Sequence, residues 1–376
     1  MKKVTIIAKT NLNNDGRILN QIKILKDYYK KDIFIDLVLL SDALLKIELG
    51  CNVKVHNVET IFRNSSLFRL FTVIEFTLKS LFLLLKLKPH IVHAQDSAIV
   101  IPVYLYHLLY GKFFKLIYDD HELPNENEPI QNRFLQFFEV KLIKRADMVI
   151  FANRERMQVV QEKYLLDLEK STYFLNLPYF TEEKGADLNS PYKLLLEDVK
   201  QSKLEGTKFI IHQGPLNVQR GRLKLAEFAH KLPENIKILL LGLSIQDFKD
   251  FVDEYSLDIY KFCFIGSIPY SALNDFWKLA DAAIVMYLPT YINNKLCAPN
   301  RFYIAIENQL PVLINQDNPV LRNFINQHNV GFYIEDIRDN RDVQKVIEYR
   351  YEFHLMEALK NIESSKLIRI YENLES

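Results

Sequence analysis

The chain has 376 residues, enough for two domains of ordinary size with a core in each. Its 48 Lys and Arg nearly balance 47 Asp and Glu, so no overall field recruits nucleic acid, and 49% apolar with 25% charged residues excludes disordered and fibrous classes. Glycine is scarce, ten residues against roughly 7% in average usage, so each glycine predicts a place where a side chain does not fit.

Cys51, Cys263 and Cys297 are odd in number, widely spaced and form no CxxC, which predicts a reducing compartment and no disulfide framework or structural zinc. Met-Lys-Lys runs straight into Val4-Thr-Ile-Ile-Ala8, too short a run for a signal-peptide core. The stretch from Leu67 to Leu87 is broken by Arg69, Glu75, Lys79 and Lys86, short of the ~20 predominantly apolar residues of a spanning helix. The expected location is cytoplasmic, with the inner face of the cell membrane as an open option.

Along the chain, short aliphatic runs alternate with stretches of helical period. Strands are expected at Val4 to Ala8, Ile33 to Leu40, Val53 to Val55, Ile91 to Ala94, Phe114 to Tyr118 and Met148 to Ala152. In the second half they fall at Phe209 to His212, Ile236 to Leu241, Phe262 to Ile265, Ala283 to Met286, Pro311 to Ile314 and Phe332 to Ile334. Continuous rather than alternating apolar runs predict strands buried on both faces, as in parallel sheets. Helices are expected at Arg17 to Tyr29, Leu67 to Leu87, Asn132 to Arg145, Leu223 to Lys231, Ser271 to Ala280 and Asn300 to Asn308. The fold class is therefore α/β, with two Rossmann-like doubly wound parallel-sheet domains facing across a cleft.

Domain limits follow from composition. Residues 1–175 form the first domain and 176–206 a linker with a short helix near Tyr192 to Lys203. Residues 207–350 form the second domain. Residues 351–376 form a terminal helix with the option of crossing back to the first. Residues 1–175 hold 25 Lys/Arg and 20 Asp/Glu, whereas 176–376 hold 23 and 27. A mildly basic first domain suits an anionic membrane surface or a phosphate-bearing acceptor, and equally fits drift of surface charge. Arg63 to Lys88, rich in Phe and Leu, reads as a core-packing helix ahead of a membrane-surface one.

Ligands of open parallel sheets sit beyond the carboxyl ends of strands. The first such loop carries Asp15-Gly16 before a helix, without GxGxxG or a P-loop. After the fourth strand comes His93-Ala-Gln-Asp96. After the fifth comes Tyr118-Asp-Asp-His-Glu122, followed by an acidic loop, Asn125 to Glu128. Asp120, His121 and Glu122 are the candidate acid–base or hydroxyl-binding groups; a metal site and plain solvated charge stay open as alternatives. In the second half Gly214 ends a strand, Arg220-Gly221 opens a helix, and Gly242 and Gly266 end the next two strands. Ile268 follows in the last of these loops. Pro299, suited to a first helical position, leads with Asn300 and Arg301 into a further helix. Bare backbone with two cations at helix starts predicts a diphosphate site, with an ordinary strand-end turn as the alternative for any one glycine. Cys297 reads as a structural thiol ahead of a nucleophile.

In this order the motifs resemble the retaining glycosyltransferases of the GT-B fold, particularly the large family-four group. Tyr118-Asp-Asp-His-Glu-Leu123, Arg145-Ala-Asp-Met-Val-Ile150, His212-Gln-Gly214 with Arg220-Gly221, Phe264-Ile-Gly-Ser-Ile-Pro269, Ala280-Asp-Ala-Ala-Ile-Val285 and Pro299-Asn-Arg-Phe-Tyr303 carry the resemblance. It implies transfer of a hexose-type sugar, with retention and without a metal or cofactor, from a UDP- or GDP-linked donor held mainly by the second domain. The implied acceptor is a saccharide or lipid-linked molecule of bacterial surface polysaccharide or glycolipid synthesis, with peripheral membrane contact as an option. Retention would proceed by front-face displacement, with Arg220, Arg301 and helix amides stabilising the leaving diphosphate and His121 contacting the donor sugar. The chain departs from the family at Leu296 and Ile304, where many members carry glutamates, and at Pro215, often arginine. A catalytically reduced binding subunit and a nucleotide-sugar epimerase are the alternative expectations.

Overall fold

Residues 1–41, 45, 48–61, 69–123, 130–179, 191–352 and 354–374 are described by a computed structural model of the chain. The acidic loop Asn125 to Glu128 and the start of the Arg63 to Lys88 stretch lie outside the described residues, as do positions 180–190 of the expected linker.

The chain divides into two units, Met1–Leu175 with Lys360–Ser376, and Asn176–Leu359. The first comprises β1 (Lys2–Ala8), α1 (Gly16–Tyr29), β2 (Ile33–Leu39), β3 (Val53–Asn57), α2 (Arg69–Leu87), β4 (Ile91–Gln95), α3 (Val100–Tyr110), β5 (Lys115–Asp120), α4 (Ile130–Ile143), β6 (Met148–Phe151), α5 (Arg154–Tyr164) and β7 (Ser171–Tyr173). All seven strands are parallel, in the order β3-β2-β1-β4-β5-β6-β7. Strand order reverses between β1 and β4, so loops after these strands open a crevice at the sheet's carboxyl edge.

The second unit comprises α6 (Pro191–Leu204), β8 (Lys208–Gln213), α7 (Arg222–Ala229), β9 (Ile236–Leu241), α8 (Ile245–Glu254), β10 (Phe262–Gly266), α9 (Leu273–Trp277), β11 (Ala282–Ile284), α10 (Ile292–Lys295), α11 (Asn300–Glu307), β12 (Val312–Ile314), α12 (Pro319–His328), β13 (Gly331–Tyr333) and α13 (Asn340–Glu348). Its six parallel strands run β10-β9-β8-β11-β12-β13, reversing between β8 and β11. The last helix, α14 (Leu355–Asn373), begins in the second unit. From Lys360 it belongs to the first, where Tyr371 bonds His93 (2.9 Å) and Glu363 accepts from the Leu175 amide (2.8 Å).

The twelve strands expected from apolar runs all form. The central ones are buried along nearly their whole length, as strands covered by helices on both faces must be. A thirteenth, the three-residue edge strand β7, carries too short a run to read. Helix starts are set by local chemistry: Asp15 caps α1, Asn153 caps α5, Ser244 and Asp247 form a capping box on α8, and Asn318 with Pro319 opens α12.

One sequence motif serves the same purpose in both units. Asp147 accepts from the Leu116 amide (2.8 Å) and its own amide donates to the Leu116 carbonyl (2.9 Å). Asp281 repeats this pair on Phe209 (2.9 and 2.7 Å). The Ala-Asp dipeptide before β6 and β11 thus extends each ladder by one side-chain rung and sets the register of strand entry.

Candidate functional site

In the second unit the carboxyl edge of the sheet is bare backbone. Gly214, Gly242 and Gly266 follow β8 and β9 and close β10. The Gly214 amide donates to Leu241 and the Gly242 amide to Gly266, each at 2.8 Å, so the three lie side by side. Gly214 has φ +116°, and a Cβ there would stand 3.2 Å from Arg301 Nη1. Any side chain would therefore strain the turn and displace the guanidinium.

Two arginines converge on this edge. Arg301, in the first turn of α11, donates through Nη1 to the Gln213 carbonyl and through Nη2 to the Met286 carbonyl (3.2 Å). It is only 7% exposed. The Arg220 guanidinium carbon sits over the Tyr287 ring, 3.5 Å from its centroid, and Arg301 stands 4.9 Å from the same centroid. Neither guanidinium pairs with a carboxylate among the described residues, and Arg220 Nη1 and Arg301 Nε are buried without a partner. Burial lowers the proton affinity of Arg220; Tyr287 opposes this and Arg301 adds to it. His212, at the same strand end, is pushed down to about 3 by burial and then by Arg301 and Arg220, so it is a neutral imidazole. Two cations with no carboxylate partner among the described residues leave this edge positively charged, with guanidinium donors unused.

Tyr287 and Asn315 complete this arrangement. The Asn315 side chain accepts from the Tyr287 amide (2.9 Å) and donates to its carbonyl (3.0 Å), fixing the backbone under the ring. Neither was singled out from sequence, although Tyr287 follows β11 and the strand-end rule applied to the glycines would have found it. Gly221 has φ +74°, and a Cβ there would meet Met286 Sδ at 2.8 Å.

The remaining second-unit candidates are placed as follows. Pro299 is the N-cap of α11 and not its first helical residue; Asn300 takes that place. The Asn300 side chain donates to the Asn176 carbonyl (3.0 Å) and accepts from Tyr270 (3.3 Å). Ile268 is half-buried in the loop after β10. Leu296 and Ile304 are both buried, so apolar packing fills the positions where the resembling family carries carboxylates. Cys263 has its thiol pushed up to about 11 by burial, and Cys297 is partly buried.

In the first unit the end of β5 divides its polar residues between the two faces of the sheet, because successive side chains alternate. Asp119 faces α1. Arg17 grips it with Nε (3.1 Å) and Nη2 (2.7 Å), and Gln21 Nε2 donates to it at 2.6 Å. Burial would raise its pKa, but Arg17 and the nearby histidines hold the carboxyl well below the usual range. His121, two residues on, follows the same face; its Nε2 lies 2.7 Å from Gln95 Oε1 and 3.8 Å from Asp119 Oδ1. Asp120 faces the other way. Both of its oxygens are buried without a hydrogen bond among the described residues, and burial, then Glu139 and Asp96, push it well above 3.8. Glu122 is exposed. Gly16 is the first, buried residue of α1, beside the Asp15 cap.

Of the three acidic and imidazole candidates, only His121 is both accessible and held in a polar network. Arg17, Gln21 and Gln95 were not among the candidates, and Asp119 was read only as one carboxylate of the polar loop after β5. Arg17 and Asp119 are 102 residues apart, and no local pattern signals that pairing.

Two Rossmann-like units of these strand orders define the fold as that of the GT-B proteins. No protein-family model and no curated protein matches the sequence. Among solved structures, the chain is similar to Anabaena HepE in complex with UDP-glucose (14% identity, TM-score 0.63, covering 100% of this chain and 98% of that one). It is also similar to WaaG, a glycosyltransferase involved in lipopolysaccharide biosynthesis (12%, 0.63, 97% and 94%). UDP-GlcNAc 2-epimerase from Methanocaldococcus jannaschii shares the fold as well (12%, 0.59, 99% and 100%).

Proposed function

We propose that this chain is a glycosyltransferase that moves a hexose-type sugar from a nucleotide-sugar donor to a saccharide or lipid-linked acceptor. The observation that carries this reading is the pair Arg220 and Arg301, over Tyr287 with no carboxylate partner among the described residues and beside the bare backbone of Gly214. A nucleoside diphosphate matches that site in charge and in its need for close backbone approach. Arg220 has no competing hydrogen bond among the described residues and is free to follow the diphosphate as it leaves. Arg301 is pre-set by two carbonyls and costs no reorganisation during the reaction. With two guanidinium groups meeting the developing charge, the proposed reaction is metal-independent. Retention and a UDP- or GDP-linked donor are part of the same reading, as are cytoplasmic location and a role in bacterial surface polysaccharide or glycolipid synthesis. They rest on the family resemblance of the motifs.

Membrane contact is supported by a specific surface. Phe71, Ile74, Leu78 and Phe82 recur at helical spacing on α2 and are 46–67% exposed. Helix α2 packs on α3, which exposes Leu108 and Leu109, and α3 packs on α4, which exposes Phe134 and Phe137. The other side of α2, with Phe76 and Leu84, is in the core. The helix therefore packs and presents an apolar stripe at once. Among the described residues no helix is long and apolar enough to cross a membrane.

A nucleotide-sugar epimerase is the second reading, favoured by the fold shared with UDP-GlcNAc 2-epimerase. The discriminating experiment incubates the protein with a panel of nucleotide sugars, with and without a lipid-linked acceptor pool, and identifies products by NMR. Release of nucleotide with a new α- or β-linked product supports transfer. An epimerised donor supports the second reading, and binding without turnover supports a catalytically reduced subunit.

A further inference from the structure

Buried behind His121 is a chain of side-chain amides that ends on a carboxylate. Asp119 is wholly buried and receives Arg17 Nε and Nη2 and Gln21 Nε2. A carboxylate so surrounded is ionised and can only accept. Gln21 must therefore turn its NH2 toward Asp119, which turns its Oε1 toward Gln95. Gln95 Nε2 donates to that oxygen at 2.8 Å, which leaves Gln95 Oε1 facing His121 Nε2 at 2.7 Å. Gln21 and Gln95 are 0% and 1% exposed, and each amide has one orientation that satisfies these partners along the chain. The carbonyl oxygen at its end requires a proton on His121 Nε2.

We propose that Asp119, Gln21 and Gln95 are positioning residues that lock His121 as the Nε2–H tautomer, presenting Nδ1 as a hydrogen-bond acceptor for a ligand hydroxyl. The His121 side chain is 23% exposed and its Nδ1 makes no hydrogen bond among the described residues. An acceptor lone pair suits a sugar hydroxyl and is repelled by a phosphate oxygen. The groups around the ring fit this polarity. Asp119 Oδ1 stands 3.8 Å from the protonated Nε2, Arg156 Nη1 donates to the His121 carbonyl at 2.5 Å, and His93 turns Nε2 to Asp119 at 3.7 Å while Tyr371 meets its Nδ1. The identity of the hydroxyl as a donor sugar's rests on the transferase reading; the tautomer does not.

The test is two-bond 1H–15N NMR of the full-length protein labelled in histidine, at pH 8, above the ordinary imidazole range. The His121 signals are assigned by their loss in His121→Asn. The expected spectrum is a single Nε2–H tautomer, changing in Gln95→Met to a mixture with Nδ1–H. A wild-type Nδ1–H tautomer, or an unchanged tautomer in folded Gln95→Met, overturns the proposal. If Gln95→Met does not fold, the wild-type spectrum decides alone. UDP-glucose should then shift Nδ1 while UDP does not, and equal shifts overturn the hydroxyl assignment. Failure of both nucleotides to bind counts against the transferase reading and the hydroxyl assignment with it, and is read separately from the tautomer.

Discussion

Asp119 and Asp120 are neighbours at the end of β5, both buried, and their surroundings push their proton affinities in opposite directions. Strand alternation is the cause. It turns Asp119 toward Arg17 and Gln21 on α1, and it turns Asp120 toward Glu139 on α4, where Tyr118 already donates to Glu139 at 2.5 Å. One acid is a fixed counter-ion, and the other is a carboxyl whose ionisation is opposed by burial, Glu139 and Asp96.

Replacing Asp120 with Asn should therefore stabilise the protein at alkaline pH. A carboxyl whose folded pKa is raised contributes stability below its unfolded value near 3.8, and that contribution is lost as pH rises through the folded value. Each unit of elevation corresponds to about 1.4 kcal/mol. Urea unfolding at pH 5 and pH 8 should show Asp120→Asn gaining on the wild type by at least ~1 kcal/mol at the higher pH. Asp119 has the reverse sign: its contribution is present above the unfolded value and is lost progressively below about pH 4.

Arg17→Met should be among the most destabilising substitutions in the first unit. It leaves Asp119 ionised and buried with Gln21 as its remaining close donor, a loss of the order of 3–5 kcal/mol. Chemical denaturation measures it. Arg17→Lys should recover little, because an ammonium cannot reproduce the two-point grip on Asp119 or the third bond to the Phe174 carbonyl.

Tyr287→Leu should weaken nucleotide binding by roughly tenfold or more, since it removes the ring beneath Arg220 and Arg301. Tyr287→Phe keeps the ring and should bind nearly as the wild type does. Calorimetry with UDP and GDP separates the two.

Much of the fold was legible because strands buried on both faces announce themselves as unbroken apolar runs. Helices were less so. Helix α3 reads as one more apolar run, and α5 is polar around most of its surface, with Arg156 and Val160 its buried residues. At the site, Gly214, Arg220 and Arg301 could be read from their places after strands and at helix starts. The Arg17–Asp119 pair and the Gln21–Gln95 chain could not, because only the folded sheet brings residues so far apart in sequence together.

Gly214→Ala tests the bare-backbone edge. With φ +116° and Arg301 Nη1 at 3.2 Å from the added methyl, it should cost about 1–3 kcal/mol of stability and shift Arg301 out of place. Nucleotide affinity should fall with it, whereas Gly206→Ala, which meets nothing within 4 Å, should leave affinity unchanged.

The most direct measurement is isothermal titration of UDP, GDP and their sugar conjugates into the wild type, Arg220→Ala and Arg301→Ala. The predicted result is binding of a nucleoside diphosphate by the wild type that weakens at least ~tenfold, about 1.4 kcal/mol, in Arg220→Ala and falls with rising salt. Wild-type protein that binds no nucleotide, or an Arg220→Ala variant that binds as tightly as the wild type, would contradict it.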